Sequence, residues 1–161
     1  MNIRAKILTI SDSAHQGTRE DKSGPAIADH LRAVGFTVDD PEVIPDEREK
    51  IATWLRAVID SRQADVIFTT GGTGVAPRDV TPEAVRDVID REIPGFGELM
   101  RQAGREFTPL ASLSRGLAGV AGTVLIVTLP GSPRGALQSL NAILELVPHV
   151  HDLLNGRTAH K

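Results

Sequence analysis

Asp65-Val-Ile-Phe-Thr-Thr-Gly-Gly-Thr-Gly-Val-Ala-Pro-Arg-Asp-Val-Thr-Pro82 is the stretch that decides how this chain folds. Val66, Ile67 and Phe68 form an apolar, partly β-branched run, the composition of a buried strand. Thr69 and Thr70 carry that strand to its end. Gly71, Gly72 and Gly74 then remove side chains from three of four positions. A backbone without Cβ atoms can turn sharply and let an anion reach its N–H groups. Thr73 leaves one hydroxyl inside the loop. Thr81-Pro82 has the layout of a helix start, with Thr81 as N-cap and Pro82 at the first helical position. A strand, a glycine loop, the Arg78-Asp79 pair and a helix N-terminus thus follow one another within eighteen residues.

The same alternation extends outward in both directions. Upstream, Ala5 to Ile10 reads as a first strand, followed by a long polar loop from Ser11-Asp12 through His15 to Pro25. Ser23 can cap the next helix, whose face is Ile27, Leu31 and Val34, with Gly35 as its stop. A second extended region runs from Phe36 to Pro45. Asp46-Glu47-Arg48-Glu49 has capping-box spacing with Asp46 as N-cap, ahead of a helix with Ile51, Trp54, Leu55, Val58 and Ile59 on one face. Downstream, Val85, Val88 and Ile89 mark a helix, Glu92 to Gly97 a turn, and Phe96, Leu99, Met100 and Ala103 a short helix. Phe107 to Leu113 is a linking segment, and Ser114 to Val120 a short, glycine-weakened strand. Thr123 to Leu129 is a strong buried strand, stopped by Pro130-Gly131-Ser132-Pro133. That turn opens a helix on Leu137, Leu140, Ile143, Leu144 and Val147, which Pro148 interrupts. The expectation is one domain over residues 1–156, with a loose tail at 157–161. Its fold class is α/β: a three-layer α/β/α arrangement around a mostly parallel sheet.

Composition narrows the function classes. The 161 residues carry a formal net charge of −3 and no basic run, which argues against nucleic acid as a main partner. Aromatic residues make up 3% and Tyr is absent, so base-stacking platforms are lacking. Cysteine is absent too, which excludes disulfides, thiolate metal sites and thiol nucleophiles. No apolar stretch reaches the roughly 18–20 residues of a membrane span. The expected location is the cytoplasm.

In a parallel α/β sheet, ligands bind beyond the carboxyl ends of the strands. Four segments follow strands and precede helices: Ser11-Asp12, Pro45-Asp46, the Gly71–Gly74 loop with Asp79, and Pro130–Pro133. They should share one rim. Glycine turns at helix N-termini suit phosphates, whereas carboxylates repel them. A divalent cation between the two resolves the conflict, since Mg²⁺ commonly takes one or two carboxylates plus substrate phosphates. Asp46 and Asp79, with Asp12 as a third, therefore point to Mg²⁺–nucleotide chemistry. Taken singly, each has a plainer reading: Asp46 as a helix cap, Asp79 as a turn acid, Asp12 in an Asx-turn. The Walker A lysine, the Gly-x-Gly-x-x-Gly fingerprint and the Gly-x-Ser-x-Gly elbow are missing. His149 and His151 lie on different helix faces and do not make a metal site.

These motifs together resemble one family: the molybdenum-cofactor biosynthesis proteins of the MogA/MoaB type, the molybdopterin adenylyltransferases, with the matching domains of fusion proteins such as gephyrin. The resemblance covers Ile7 to about Leu154. It is carried by Ser11-Asp12 with Asp21-x-Ser23-Gly24-Pro25, by Ile44-Pro-Asp-Glu47 and by Thr69-Thr70-Gly71-Gly72-Thr73-Gly74. Arg78-Asp79-Val-Thr-Pro-Glu83, Ile93-Pro-Gly-Phe-Gly-Glu98, Leu113-Ser114-Arg115 and Leu129-Pro130-Gly131-Ser132-Pro133 complete it.

The resemblance implies a mixed sheet, a homotrimer or hexamer, and transfer of AMP from Mg-ATP to the phosphate of molybdopterin with release of pyrophosphate. A separate molybdate-insertion enzyme then takes the product. It places aspartates needed for activity, the catalytic pair, at Asp46 and Asp79, and the rim chemistry above assigns that pair to holding the metal. Substrate contacts fall at Ser11, Asp12, Ser23, Gly24, Pro25, Thr70 to Gly74, Arg78, Ser114, Arg115 and Pro130 to Pro133. The competing implication is a MoaB-type molybdopterin carrier or scaffold without transferase activity.

Overall fold

The structure, a computed structural model, describes residues 2–158. In chain order the elements are β1 (Arg4–Ile10), α1 (Asp12–Gln16), α2 (Ser23–Ala33), β2 (Thr37–Val38), β3 (Glu42–Ile44), α3 (Arg48–Ser61) and β4 (Val66–Thr70). Then come α4 (Thr81–Arg86), β5 (Arg91–Glu92), α5 (Pro94–Arg105), a 3₁₀ turn at Pro109–Leu113, β6 (Ala118–Ala121) and β7 (Val124–Leu129). α6 (Pro133–Ile143), a second 3₁₀ turn at Leu144–Leu146 and α7 (Val147–Leu154) complete the chain.

Among the described residues the strands form one seven-stranded sheet in the order β2-β1-β4-β7-β6-β5. β2 pairs with the start of β1 and β3 with its end, both parallel. The β1-β4 and β4-β7 pairs are also parallel, while β6 runs antiparallel to β7 and β5 antiparallel to β6. The sheet is therefore mixed and mostly parallel.

Period-2 alternation sorts the strand residues onto two cores. Ala5, Ile7, Val66, Phe68, Leu125 and Val127 meet Ile27 and Leu31 of α2, Phe96 and Met100 of α5, and Leu140 and Ile143 of α6. Leu8, Ile10, Ile67, Val124 and Ile126 meet Ile51, Leu55 and Val58 of α3, and Ala84 and Val85 of α4. β4 is buried along its whole length, as a central parallel strand covered on both faces must be. Truncating Phe68, fully buried, would cost about 3–5 kcal/mol through lost burial and the cavity left behind.

Several local expectations give way to tertiary context. Asp46 does not cap α3. The cap position is Glu47, without a side-chain bond, because the Asp46 carboxylate accepts the backbone N–H of Asp12 at 2.9 Å instead. Thr81 is the first helical residue rather than the cap, and its hydroxyl donates to the Gly71 carbonyl at 2.9 Å. Ser23 likewise starts α2 from inside; Asp21 supplies the cap, accepting from Gly24 N at 3.1 Å. Val34 has helical spacing but is 53% exposed, since α2 ends one residue earlier. The polar loop from Ser11 contains the short helix α1. The extended region from Phe36 is split into β2 and β3. The expected turn at Glu92 to Gly97 is a strand end followed at once by α5, which is longer than expected. Pro148 does break the C-terminal helix, with a 3₁₀ turn between α6 and α7. Arg157 is bonded back to Asp152, and residues 159–161 of the expected tail lie outside the described residues.

Candidate functional site

The four segments that follow β1, β3, β4 and β7 do meet at one rim. Ser11 N donates to Ile44 O at 3.0 Å and joins the first two. Ser11 also caps α1 through Ala14 N, which turns Asp12 toward Asp46. These two aspartates exchange bonds: Asp12 N donates to Asp46 Oδ2 at 2.9 Å, and Asp46 N to Asp12 Oδ1 at 3.0 Å. Arg78 closes a two-pronged pair on Asp12, both bonds 2.9 Å.

The glycine bend is shaped by its neighbours. Gly71 and Gly72 have φ of +101° and +69°, conformations that disfavour any side chain. A Cβ on Gly72 would strike the Thr81 hydroxyl and stand 3.1 Å from Asp46 Oδ1, so Asp46 lies against the bend. Gly71 N donates to Leu129 O at 3.1 Å, and the Thr70 hydroxyl to Pro130 O at 2.7 Å. Those bonds lock the two glycine turns together. A Cβ on Gly131 would stand 3.3 Å from Gly71 Cα. On the far side of the bend, Asp79 Oδ2 accepts Ala76 N at 2.9 Å and abuts Gly74, where a Cβ would come within 2.8 Å of it.

Two cavities flank the Pro130–Ser132 turn. One, of about 560 Å³, is lined by Ser11, Asp21, Ser23, Thr70, Gly71, Gly131, Ser132 and Pro133, with Arg19 and Lys22. Ser132 caps α6 there, accepting from Gly135 N at 3.1 Å. The other, of about 350 Å³, takes Thr73, Gly74, Ser114, Pro130, Gly131 and Ser132 against Met100, Leu110 and Leu113. Thr73 and Ser139, each 5% exposed, line this second chamber. Its apolar walls with a few hydroxyls suit a flat ring. The first chamber sets two cations, Arg19 and Lys22, beside two carboxylates, Glu20 and Asp21; its turn amides and cations are its donors toward phosphate groups. A recess of about 590 Å³ around Arg4 and Asp65 holds none of the predicted residues.

Not every expected contact faces a cavity. Asp12, Asp46, Gly72, Arg78 and Asp79 line neither chamber but flank the bend between them. Pro25 is exposed on the first turn of α2, and Gly24 is buried against Asp21 and Thr9. Arg115 also lines neither chamber; its side chain is taken up by protein groups. The site residues named from sequence omit Arg19, Lys22 and Arg101, and also Asp21, although Asp21 stands in one of the motifs. Asp21 accepts the Thr9 hydroxyl at 2.8 Å, and Arg101 holds the carbonyls of Ser114 and Gly116. Arg19 and Lys22 carry no local signal, being ordinary charged residues in a polar loop. Asp21 had one, its place three residues before the Gly24 amide it caps.

Charge divides the acids. Arg78 holds the Asp12 carboxyl below the usual carboxylate range, helped by the Asp46 N–H. Asp46 is pushed up, first by burial and then by the charges of Asp12 and Asp79, against the Asp12 N–H bond. Arg78 is engaged by Asp12 and also draws the Asp46 pKa down, but burial and the charges of Asp12 and Asp79 outweigh it at Asp46. Among the described residues no group of three or more His, Cys, Asp or Glu could hold a metal unaided. Two carboxylates completed by phosphate oxygens are a donor set that a hydrated Mg²⁺ could accept, and its charge would relieve the crowding at Asp46.

Residues 6–149 match the family described as "Probable molybdopterin binding domain". The chain is 40% identical over 156 residues to the molybdopterin adenylyltransferase of Helicobacter pylori, covering 96% of this chain and 89% of that one. It is 41% identical over 143 residues to the molybdopterin adenylyltransferase of Escherichia coli K12, covering 88% and 73%. Its fold superposes on the molybdopterin biosynthesis enzyme MoaB of Thermus thermophilus with a TM-score of 0.89, at 49% identity over 96% and 97% of the two chains. With the motifs meeting at one rim and the match spanning both chambers, the chain belongs to the molybdopterin-binding domain family of molybdenum cofactor biosynthesis.

Proposed function

We propose that this chain is a molybdopterin adenylyltransferase, transferring AMP from ATP to the terminal phosphate of molybdopterin. The observation that carries the reading is the meeting of Asp46 and Asp79 against a glycine bend that lies between a chamber with turn amides and cations and a chamber suited to a flat ring. The names of the relatives support the substrate and the reaction class.

A phosphate oxygen of the pterin attacks the α-phosphorus of ATP. The new P–O bond forms as the bond to the bridging oxygen breaks, and that oxygen leaves with its electron pair as pyrophosphate. The attacking group is already an anion, so no strong general base is needed. The work of the protein is alignment and charge stabilisation, as in other phosphoryl transfers. Asp46 and Asp79 would hold Mg²⁺, which when bound offsets the negative charge of the polyphosphate. The Gly72 to Gly74 and Gly131 to Ser132 backbone offers N–H donors to phosphate oxygens. Arg78, its side chain 62% exposed and hydrogen-bonded among the described residues to Asp12, is open to incoming phosphate. The resemblance further supports a homotrimer or hexamer in the cytoplasm that hands its product to a molybdate-insertion enzyme.

The test is incubation with molybdopterin and Mg-ATP labelled at the α-phosphate. Labelled pterin and an equal amount of pyrophosphate are expected. Pterin binding without pyrophosphate release would replace the enzyme reading with a carrier.

A further inference from the structure

We propose that Arg115 is a positioning residue for Asp79, acting on the bend rather than on substrate. The inference rests on the adenylyl-transfer reading of the site. Arg115 gathers both ends of the segment that carries Asp79. Its backbone N–H donates to Thr73 O at 2.8 Å. Its Nε donates to Gly74 O at 2.8 Å and one terminal nitrogen to Asp79 O at 2.7 Å. The other terminal nitrogen pairs with the Glu83 carboxylate on α4.

One planar fork thus satisfies the start of the loop, its end and the first turn of the following helix. A lysine, with a single point of charge, cannot span those three directions. The fork is itself held in place. Arg101 of α5 binds the carbonyls on either side, Ser114 O at 3.3 Å and Gly116 O at 2.8 Å.

The geometry places the consequence at Asp79. Its carbonyl is fixed by Arg115, its N–H and Oδ2 close a turn on Ala76, and the missing side chain at Gly74 is what lets its carboxylate sit against the bend. The oxygen that remains, Oδ1, has no protein hydrogen bond among the described residues. Without Arg115 the Thr81 bonds to Gly71 O and Gly72 O still close the base of the bend, but Gly74 O and Asp79 O lose their shared anchor and that oxygen loses its fixed position. A displacement of about 1 Å at a reacting centre costs on the order of 10²-fold in rate.

The experiment compares wild type, Arg115→Lys and Glu83→Gln, using adenylylation kinetics and amide hydrogen exchange across residues 73–80. For Arg115→Lys, kcat should fall by about 10²-fold with the KM for molybdopterin within twofold of wild type. Exchange should rise in the bend while β4 and β7 remain protected. Glu83→Gln keeps both carbonyl bonds and should show a smaller kcat loss in the same direction. A raised KM with unchanged kcat would overturn the proposal and make Arg115 a substrate contact; unchanged exchange in the bend would overturn it as well. If wild type transfers no AMP, the functional reading fails, and the exchange comparison still decides whether Arg115 holds the loop.

Discussion

Gly71–Gly74 and Pro130–Ser132 both lead from the carboxyl end of a central parallel strand into a helix, and they are built by different means. The first uses two left-handed glycines, a buried threonine hydroxyl and the Arg115 fork, and enters a helix of six residues with no side-chain cap. The second has no residue with positive φ. Prolines frame it, and Ser132 caps an eleven-residue helix. Conformational freedom is concentrated where two carboxylates must come close to backbone. Where only N–H donors are wanted, a rigid turn with an ordinary cap is enough. Carboxylate placement is therefore the demanding part of this rim.

That contrast can be broken by mutation. Asp79→Asn and Asp46→Asn, at the bend, are expected to lower kcat for adenylyl transfer by about 10²–10³-fold, the range for losing one preorganised electrostatic group. Ser132→Ala, at the turn, should cost only a few-fold. Comparable losses at both places would erase the distinction. Gly72→Ala should destabilise the fold by about 1–3 kcal/mol, the cost of a side chain in the left-handed region, with collision against Thr81 added. Gly131→Ala, with ordinary φ, should cost less; urea unfolding midpoints compare them. Ser132→Ala should lower stability by about 1 kcal/mol through loss of its cap.

The smallest effect is a pH signature at Asp46. Its folded pKa is raised by burial and by Asp12 and Asp79, so the folded state binds its proton more tightly than the unfolded state does. That contribution to stability is full below the unfolded value of about 3.9 and is lost as pH rises through the folded value. Asp46→Asn keeps an oxygen for the Asp12 N–H without the charge. It should therefore be slightly more stable than wild type at neutral pH, with the gap closing toward pH 3 in thermal melts. A gap that widened on acidification would reverse the sign assigned to Asp46.

The layered fold was legible because its central strands are apolar β-branched runs ended by turn residues, and Val66 to Thr70 and Val124 to Leu129 lie where that pattern puts them. Arg91–Glu92 was not legible as a strand. Both residues are exposed and charged, and only pairing with Gly119 and Val120 makes them one. At the site, the convergence of Asp12, Asp46, Asp79 and the glycine turns followed from strand-end position alone. The bond from Asp12 to Asp46 was hidden by capping-box spacing, a local pattern that a partner 34 residues away overrides. The Arg115 fork was invisible for the same reason, because its partners lie at Gly74, Asp79 and Glu83.

The partition between the two chambers is thin. Gly131 and Ser132 line both, and a glycine adds no side chain to the wall. A single compound with an anionic group on one side and a flat ring on the other could reach across it. Joining the two fragments makes the second capture intramolecular, so avidity can exceed either separate affinity by about 10²–10⁴-fold when the linker length suits the span. The shape of this wall thus sets the ruler for bisubstrate inhibitors.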